Sequence, residues 1–319
     1  MIKKLSFMLV VLMGLQGMGC GRSKAYKTEQ DYYRHDTAYG NRGGTATARA
    51  DRFGQPKKKL YVLPFYNATP LGGEELGFFA ASELLREVRS TAKAVVPEDI
   101  RSGDTSKDFY SGDKVRLGPL VREGKRLGVS LLVIGKIKKI VYRTKGDEVG
   151  LFRQKKSIAA VDLEMRIFDI NNAKEILFDE KSADSTASQV DIFGSEDSDP
   201  KSQRLELVRM ALRSGMKLFS TDTTRTLEKI SWEGRIAKIS NGKVFINAGR
   251  ATGLSVGDIL KVLTPGEDIY DPVTGAYMGR SAGQPKGTLE VTDYFGTDGA
   301  AAAIHSGGNF TENDVVQLY

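Results

Sequence analysis

The chain predicts an α+β protein, with a mixed α/β domain over residues 59–228 and a small antiparallel β-barrel of SH3-like type over residues 229–319. Two observations carry this. Between residues 59 and 220, apolar runs of strand length alternate with segments whose apolar positions recur at helical spacing. Beyond Trp232 the helical spacing stops, and short apolar segments follow one another between Gly, Asn and Asp turns. A third observation sets the N-terminal region apart: after an apolar run that ends short of Cys20, residues 21–56 keep no period of 2 or 3.6.

Each element has its own grounds. Leu60-Tyr61-Val62-Leu63-Pro64-Phe65 reads as a buried strand with a proline near its end. Leu71-Gly72-Gly73 leads into a helix over 74–90, where Leu76, Phe79, Ala80, Leu84 and Val88 share a face and Glu74-Glu75 suit the N-terminus. Ala94-Val95-Val96-Pro97 is a short second strand. After a polar loop, a helix over 117–127 runs through Gly128 into the strand 131–135. Strands over 158–170 and 175–184 flank a hairpin turn at Asn171-Asn172. The last helix, 203–219, places Leu205, Val208, Leu212, Met216 and Phe219 at helical steps. The barrel strands fall at 232–240, 243–248, 259–263, 287–294, 301–304 and 315–318, with Asn241-Gly242 a two-residue hairpin turn.

Cysteine occurs once, at Cys20. Ahead of it stand Lys3 and Lys4, an apolar run over 5–13 too short to span a bilayer, and small residues at 17–19, the order of a secretory signal peptide. With Cys20 directly behind the small residues, the segment resembles a bacterial lipoprotein signal, although Gly17 stands where that family usually has Leu. The resemblance implies a signal peptide over 1–19 and lipidation of Cys20 as the first mature residue. Each buried methylene of an acyl chain contributes about 0.8 kcal/mol, so the several chains of the family's anchor hold a protein on its membrane where one chain does not. Gram-negative relatives kept at the inner membrane carry Asp after the cysteine; Gly21 therefore implies the outer membrane, with the folded part facing the periplasm. The plain alternative is an ordinary signal peptide with a cysteine close by.

The formal charge of +7 is unevenly placed. Residues 21–59 hold ten Lys and Arg against four acids, while residues 60–319 come to −1. Residues 20–58 therefore read as a lipidated Cys followed by a flexible basic tether, punctuated by Gly43-Gly44 and Gly54-Gln55-Pro56. Beside a membrane, basic residues contribute on the order of 1 kcal/mol each toward anionic head groups. The tether either uses this, against lipopolysaccharide or peptidoglycan, or stays solvated. An export signal and a near-neutral body exclude a nucleic-acid partner.

Three segments of the α/β region carry a resemblance: Val62-Leu63-Pro64-Phe65-Tyr66-Asn67, then Leu127-Gly128-Val129-Ser130 with Leu131 to Gly135, and the run from Val161 to Ile170. In that order they are similar to the periplasmic domain of the curli secretion-channel lipoproteins, of the N-terminal domain of the Tol translocation protein, and of lipoprotein activators of penicillin-binding proteins. In the barrel, Lys243-Val244-Phe245-Ile246-Asn247, the glycines Gly249, Gly253 and Gly257 with Asp258, and the turn Asp271-Pro272-Val273-Thr274-Gly275 resemble the C-terminal domain of flagellar assembly protein T. The channel relatives build a pore from two hairpins leaving this domain. The candidate insertions here, 142–157 and 186–203, do not qualify as membrane hairpins, because Lys145, Asp147, Glu148 and Arg153 crowd the first and Glu196, Asp197 and Asp199 the second.

Catalytic chemistry has little to stand on. The two histidines are His35 in the tether and His305 near a barrel strand, with no nucleophile-elbow sequence beside either. Lipidation would consume the one thiol. The acids at Glu267-Asp268 and Asp271, like those at 196–199, do not follow a calcium-loop spacing and read as solvated loops. The glycines at 249, 253 and 257 lack the Lys-Ser/Thr ending of a phosphate loop and read as barrel turns. No cofactor, metal or catalytic residue is expected. The expectation is a non-enzymatic outer-membrane lipoprotein that scaffolds an envelope assembly, flagellar basal-body structures among them, through periplasmic protein partners, with homo-oligomers compatible. The alternatives are a curli-type channel subunit and a regulator of a peptidoglycan synthase. Tyr66, Phe109 and Tyr110 are candidates for exposed loop aromatics, and core packing explains them equally well.

Overall fold

The computed structural model describes residues 54–96, 103, 105–146, 154–190, 200–275 and 277–319. Cys20, the signal segment, His35, nearly all of the basic tether and the acids at 196–199 lie outside the described residues. The described chain is α+β: a mixed sheet with helices, then a closed six-stranded antiparallel barrel.

The sheet begins with β1 (Lys58–Val62), which lies parallel to β3 (Ala94–Val95) on one side and to β6 (Leu131–Gly146) on the other. β7 (Gln154–Asp169) and β8 (Lys174–Val190) continue it antiparallel, and β2 (Tyr66–Asn67) pairs parallel with β6. Apolar runs form the central strands because both faces are covered. Leu60, Val62, Leu131 and Val133 turn toward α1 (Gly73–Ser90) and α3 (Pro200–Lys229), while Tyr61, Leu63, Leu132 and Ile134 pack with Leu120 of α2 (Leu117–Leu127) and with Phe109. Phe109 is thus core rather than an exposed loop aromatic. α2 ends where Gly128 takes φ 68°, the left-handed conformation that glycine accepts without a Cβ penalty.

Three departures from the sequence expectation have identifiable causes. The polar loop before α2 contains a 3₁₀ turn (Ser106–Phe109) and the small hairpin of β4 (Tyr110–Ser111) and β5 (Lys114–Val115). Ser106 is fully buried there, and its Oγ accepts from the Gly135 N–H at 3.1 Å. The candidate insertions at 142–157 and 186–203 are in part strand, beyond the expected strand ends. β6 and β7 pair out to Gly146 and Lys155, and β7 and β8 pair from Gln154 to Val190, because ladder hydrogen bonds need no apolar side chains. The third is α3, which runs ten residues past its expected end. Its polar stretch 220–226 stays helical because Thr223 packs fully buried against Met165 and Leu227 reaches the core, while the hydroxyls of Ser220, Thr224 and Thr226 are satisfied by carbonyls one turn earlier.

The barrel comprises β9 (Gly234–Ser240), β10 (Lys243–Ile246), β11 (Ile259–Leu263), β14 (Pro285–Phe295), β15 (Gly299–Gly307) and β16 (Val315–Leu318). These are the six strands expected, and pairing of β9 with β16 helps close the ring. Asn241 and Gly242 both have positive φ, as a two-residue hairpin turn requires. Ile236, Val244, Ile246, Leu260, Val262, Leu289, Val291 and Val316 fill the interior, where the small side chains of Ala300 and Ala302 fit its narrow bore. An additional hairpin, β12 (Asp268–Tyr270) with β13 (Tyr277–Arg280), leaves the barrel between β11 and β14 around the 271–275 turn.

Candidate functional site

Where the sheet meets the barrel, several turns converge. The β7–β8 turn is held by Asp169, whose carboxylate accepts from the Asn171 and Asn172 N–H groups at 2.9 and 3.1 Å. Arg280 Nη1 donates to the Asn171 carbonyl at 2.9 Å, and Arg235 Nη2 to its Oδ1 at 3.3 Å. The start of β1 reaches the barrel as well: Lys57 N–H bonds the Thr252 carbonyl at 2.7 Å, and Lys59 Nζ bonds the Asn247 carbonyl at 2.6 Å. Asp298 completes this corner. It accepts from Gly249 N–H, Thr252 N–H and Thr252 Oγ1, and pairs with Lys59 at 3.2 Å. Burial pushes the Asp298 carboxyl up, but the Thr252 hydroxyl and N–H and the Lys59 ammonium outweigh it and hold the group below the usual carboxylate value.

A cleft of about 270 Å³ lies at this junction. Lys59, Lys125, Arg235 and Arg280 bring four cations to its wall, Glu233 brings one carboxylate, and Trp232 supplies an indole. Asn171, Asn247, Asn313 and Ser130 add neutral hydrogen-bonding groups. Arg235 is lowered from the ordinary guanidinium value, first by burial and then by the neighbouring Arg280, against the pull of Glu233 and Asp169. It nonetheless stays charged, as guanidinium does in proteins. The cleft can hold an anion in place; it contains no nucleophile paired with a base.

The residues singled out by sequence do not gather here. His305 lies exposed on β15. Tyr66 and Tyr110 are half-buried at the other end of β1, their ring centroids 6.5 Å apart with Lys136 Nζ within 5.9 Å of both. Asp271 caps its own turn by accepting from the Val273 and Thr274 N–H groups, and Asp268 pairs with Arg280. Among the described residues, no three His, Cys, Asp or Glu side chains gather as a metal site, and no helix is long and apolar enough to cross a membrane. Gly253 and Gly257 take φ 96° and 89°, in keeping with turns. The cleft residues gave no sequence signal because they come from seven separate segments. The β12–β13 hairpin was legible only as its turn, 271–275.

No family model matches the chain, and no curated protein matches it. Solved structures similar to it include a hypothetical protein from Chlamydia trachomatis, 18% identical, covering 54% of this chain and 98% of that one with a TM-score of 0.34. A lipoprotein from Neisseria meningitidis is 14% identical, covering 51% and 99% with a TM-score of 0.27. The PelC dodecamer from Paraburkholderia phytofirmans is 14% identical, covering 50% and 88% with a TM-score of 0.27. Scores and identities this low assign neither a family nor a role.

Proposed function

We propose that this chain is a non-enzymatic lipoprotein, anchored through Cys20 to the outer membrane, whose periplasmic α/β and barrel domains dock protein partners in an envelope assembly. One observation carries the docking reading: exposed apolar side chains collect on the β12–β13 hairpin, where Ile269, Tyr270 and Met278 stand out and Val273 at the turn is 90% exposed. Apolar groups gathered at one exposed place mark interaction sites more often than chance exposure does. The buried charges support the non-enzymatic part, because they are engaged in structural pairs: Lys58 with the Leu227 carbonyl, Glu164 with Arg166 and Tyr110, and Asp314 with Lys286. A flagellar basal-body setting is the finer proposal, resting on the barrel resemblance alone.

The test is affinity capture of the membrane-extracted chain, with light scattering of the same sample. Co-purified basal-body or other envelope-assembly proteins, lost in a Val273→Ser/Met278→Ser double variant, support the docking reading. A monomer that recovers only a cell-wall synthase, unaffected by the double variant, sinks it in favour of a synthase regulator. Cys20→Ser should move the protein from the membrane fraction to the soluble fraction; continued membrane association would remove the anchor from the proposal.

A further inference from the structure

The cleft between sheet and barrel carries more positive charge than the fold uses. Lys59 is matched by Asp298 and Arg280 by Asp268, at 3.2 and 2.9 Å. Arg235 is different: Nη1 donates to the Asn313 carbonyl and Oδ1 at 3.1 and 3.0 Å and Nη2 to Asn171 Oδ1, all neutral oxygens. Lys125 stands exposed on α2 at the same cleft. No carboxylate among the described residues lies within ion-pair distance of either. Glu233, the acid in the wall, accepts from Gln317 Nε2 at 2.9 Å. A partly desolvated guanidinium whose hydrogen-bond partners are all neutral, with Glu233 and Asp169 acting on it only from beyond ion-pair distance, gains when an anion joins it, and its planar fork suits carboxylate and phosphate oxygens.

We infer that this cleft binds the carboxylate or phosphate group of a small ligand, held by Arg235 and Lys125. The inference is independent of the docking reading, since the exposed hairpin residues Ile269, Tyr270, Val273 and Met278 do not line the cleft. Three neutral amide side chains and the indole wall give the mixed lining of a small-molecule site, where a few placed polar groups orient a ligand against apolar surface. The volume, about 270 Å³, suits a small metabolite or the charged end of a longer chain.

The test is calorimetric titration of the full chain with inorganic phosphate and, separately, with succinate, against sodium chloride at matched ionic strength so that screening is equal. Saturable binding of either probe is expected. Phosphate alone assigns a phosphoryl ligand, succinate alone a carboxylate, and both a general oxyanion site. Arg235→Gln should weaken binding about tenfold or more and Lys125→Gln about threefold, since each removes a charge-assisted hydrogen bond. Because Arg235 also touches the β7–β8 turn, Lys125→Glu on the exposed face of α2 serves as the second variant and should abolish binding in a normally folded protein. No saturable binding of either probe up to about 20 mM, a range of affinity too weak for a built site, overturns the inference. So does binding that the Lys125 variants leave unchanged.

Discussion

Arg280 Nη1 lies 2.9 Å from the Asn171 carbonyl, so the base of the β12–β13 hairpin is pinned to the β7–β8 turn of the sheet. The same guanidinium holds Asp268 across the hairpin. The hairpin's exposed apolar residues are therefore carried on a base tied to the sheet as well as to the barrel.

Arg280→Ala should remove both links at once. Hydrogen bonds to charged groups contribute about 1.5–3 kcal/mol each at most, so a loss of about 1–3 kcal/mol is expected. Scanning calorimetry should show sheet and barrel unfolding over a broader or divided transition; one sharp, unshifted transition would show that this link does not couple them.

Asp298 supports the other corner through three hydrogen bonds and the Lys59 pair. Asp298→Ala leaves the Gly249 and Thr252 N–H groups without their acceptor and should cost about 2–4 kcal/mol. The native carboxyl is held below its usual 3.8, so its stabilisation is fully present above that pH and lost as pH falls through the lower folded value. Urea melts from neutral pH into acid should fall less steeply for Asp298→Asn than for the natural chain.

Lys58 is buried with Nζ on the Leu227 carbonyl at 2.9 Å, closing the end of α3 against β1. Burial lowers its pKa below 10.5, against the opposing pull of Glu228. The unfolded chain therefore binds the proton more tightly, and this residue makes stability rise with pH between the folded value and 10.5. Lys58→Met should abolish that rise, and because it leaves the Leu227 carbonyl without its donor it should cost about 1–2 kcal/mol at neutral pH. Lys58→Ala should cost about 1–3 kcal/mol through lost packing and an unpaired carbonyl.

Gly135 lies under the Phe65 ring, where a Cβ would overlap the aromatic carbons. Gly135→Ala should destabilise by about 3 kcal/mol or more. Phe65→Ala should itself cost about 3–5 kcal/mol. If close approach is the cause, the double variant loses less than the two single losses combined; strict additivity would point to another role for Gly135.

The sheet and barrel were legible because their signals are local. Leu60 to Phe65, the α1 face from Leu76 to Val88 and the turn Asn241-Gly242 each state their structure within a few residues. β8 beyond Asp184 and α3 beyond Phe219 were not, since their polar sequences persist only through ladder pairing and contacts with distant residues such as Met165. Likewise Ser106 reads as a loop polar residue until the fold sets it beneath the Gly135 N–H.

By itself the sequence determined the basic, apolar and small-residue order ahead of Cys20, the basic stretch before the body, the α+β class and the six barrel strands, because hydrophobic period and turn chemistry act over neighbouring residues. Only the tertiary structure decided the cleft. Lys59, Lys125, Asn171, Arg235 and Arg280 are spread over more than two hundred residues, and each alone reads as a solvated polar residue. They meet because barrel closure and sheet register bring their turns together, and a charge left without an acid partner becomes visible only once all its neighbours are in place.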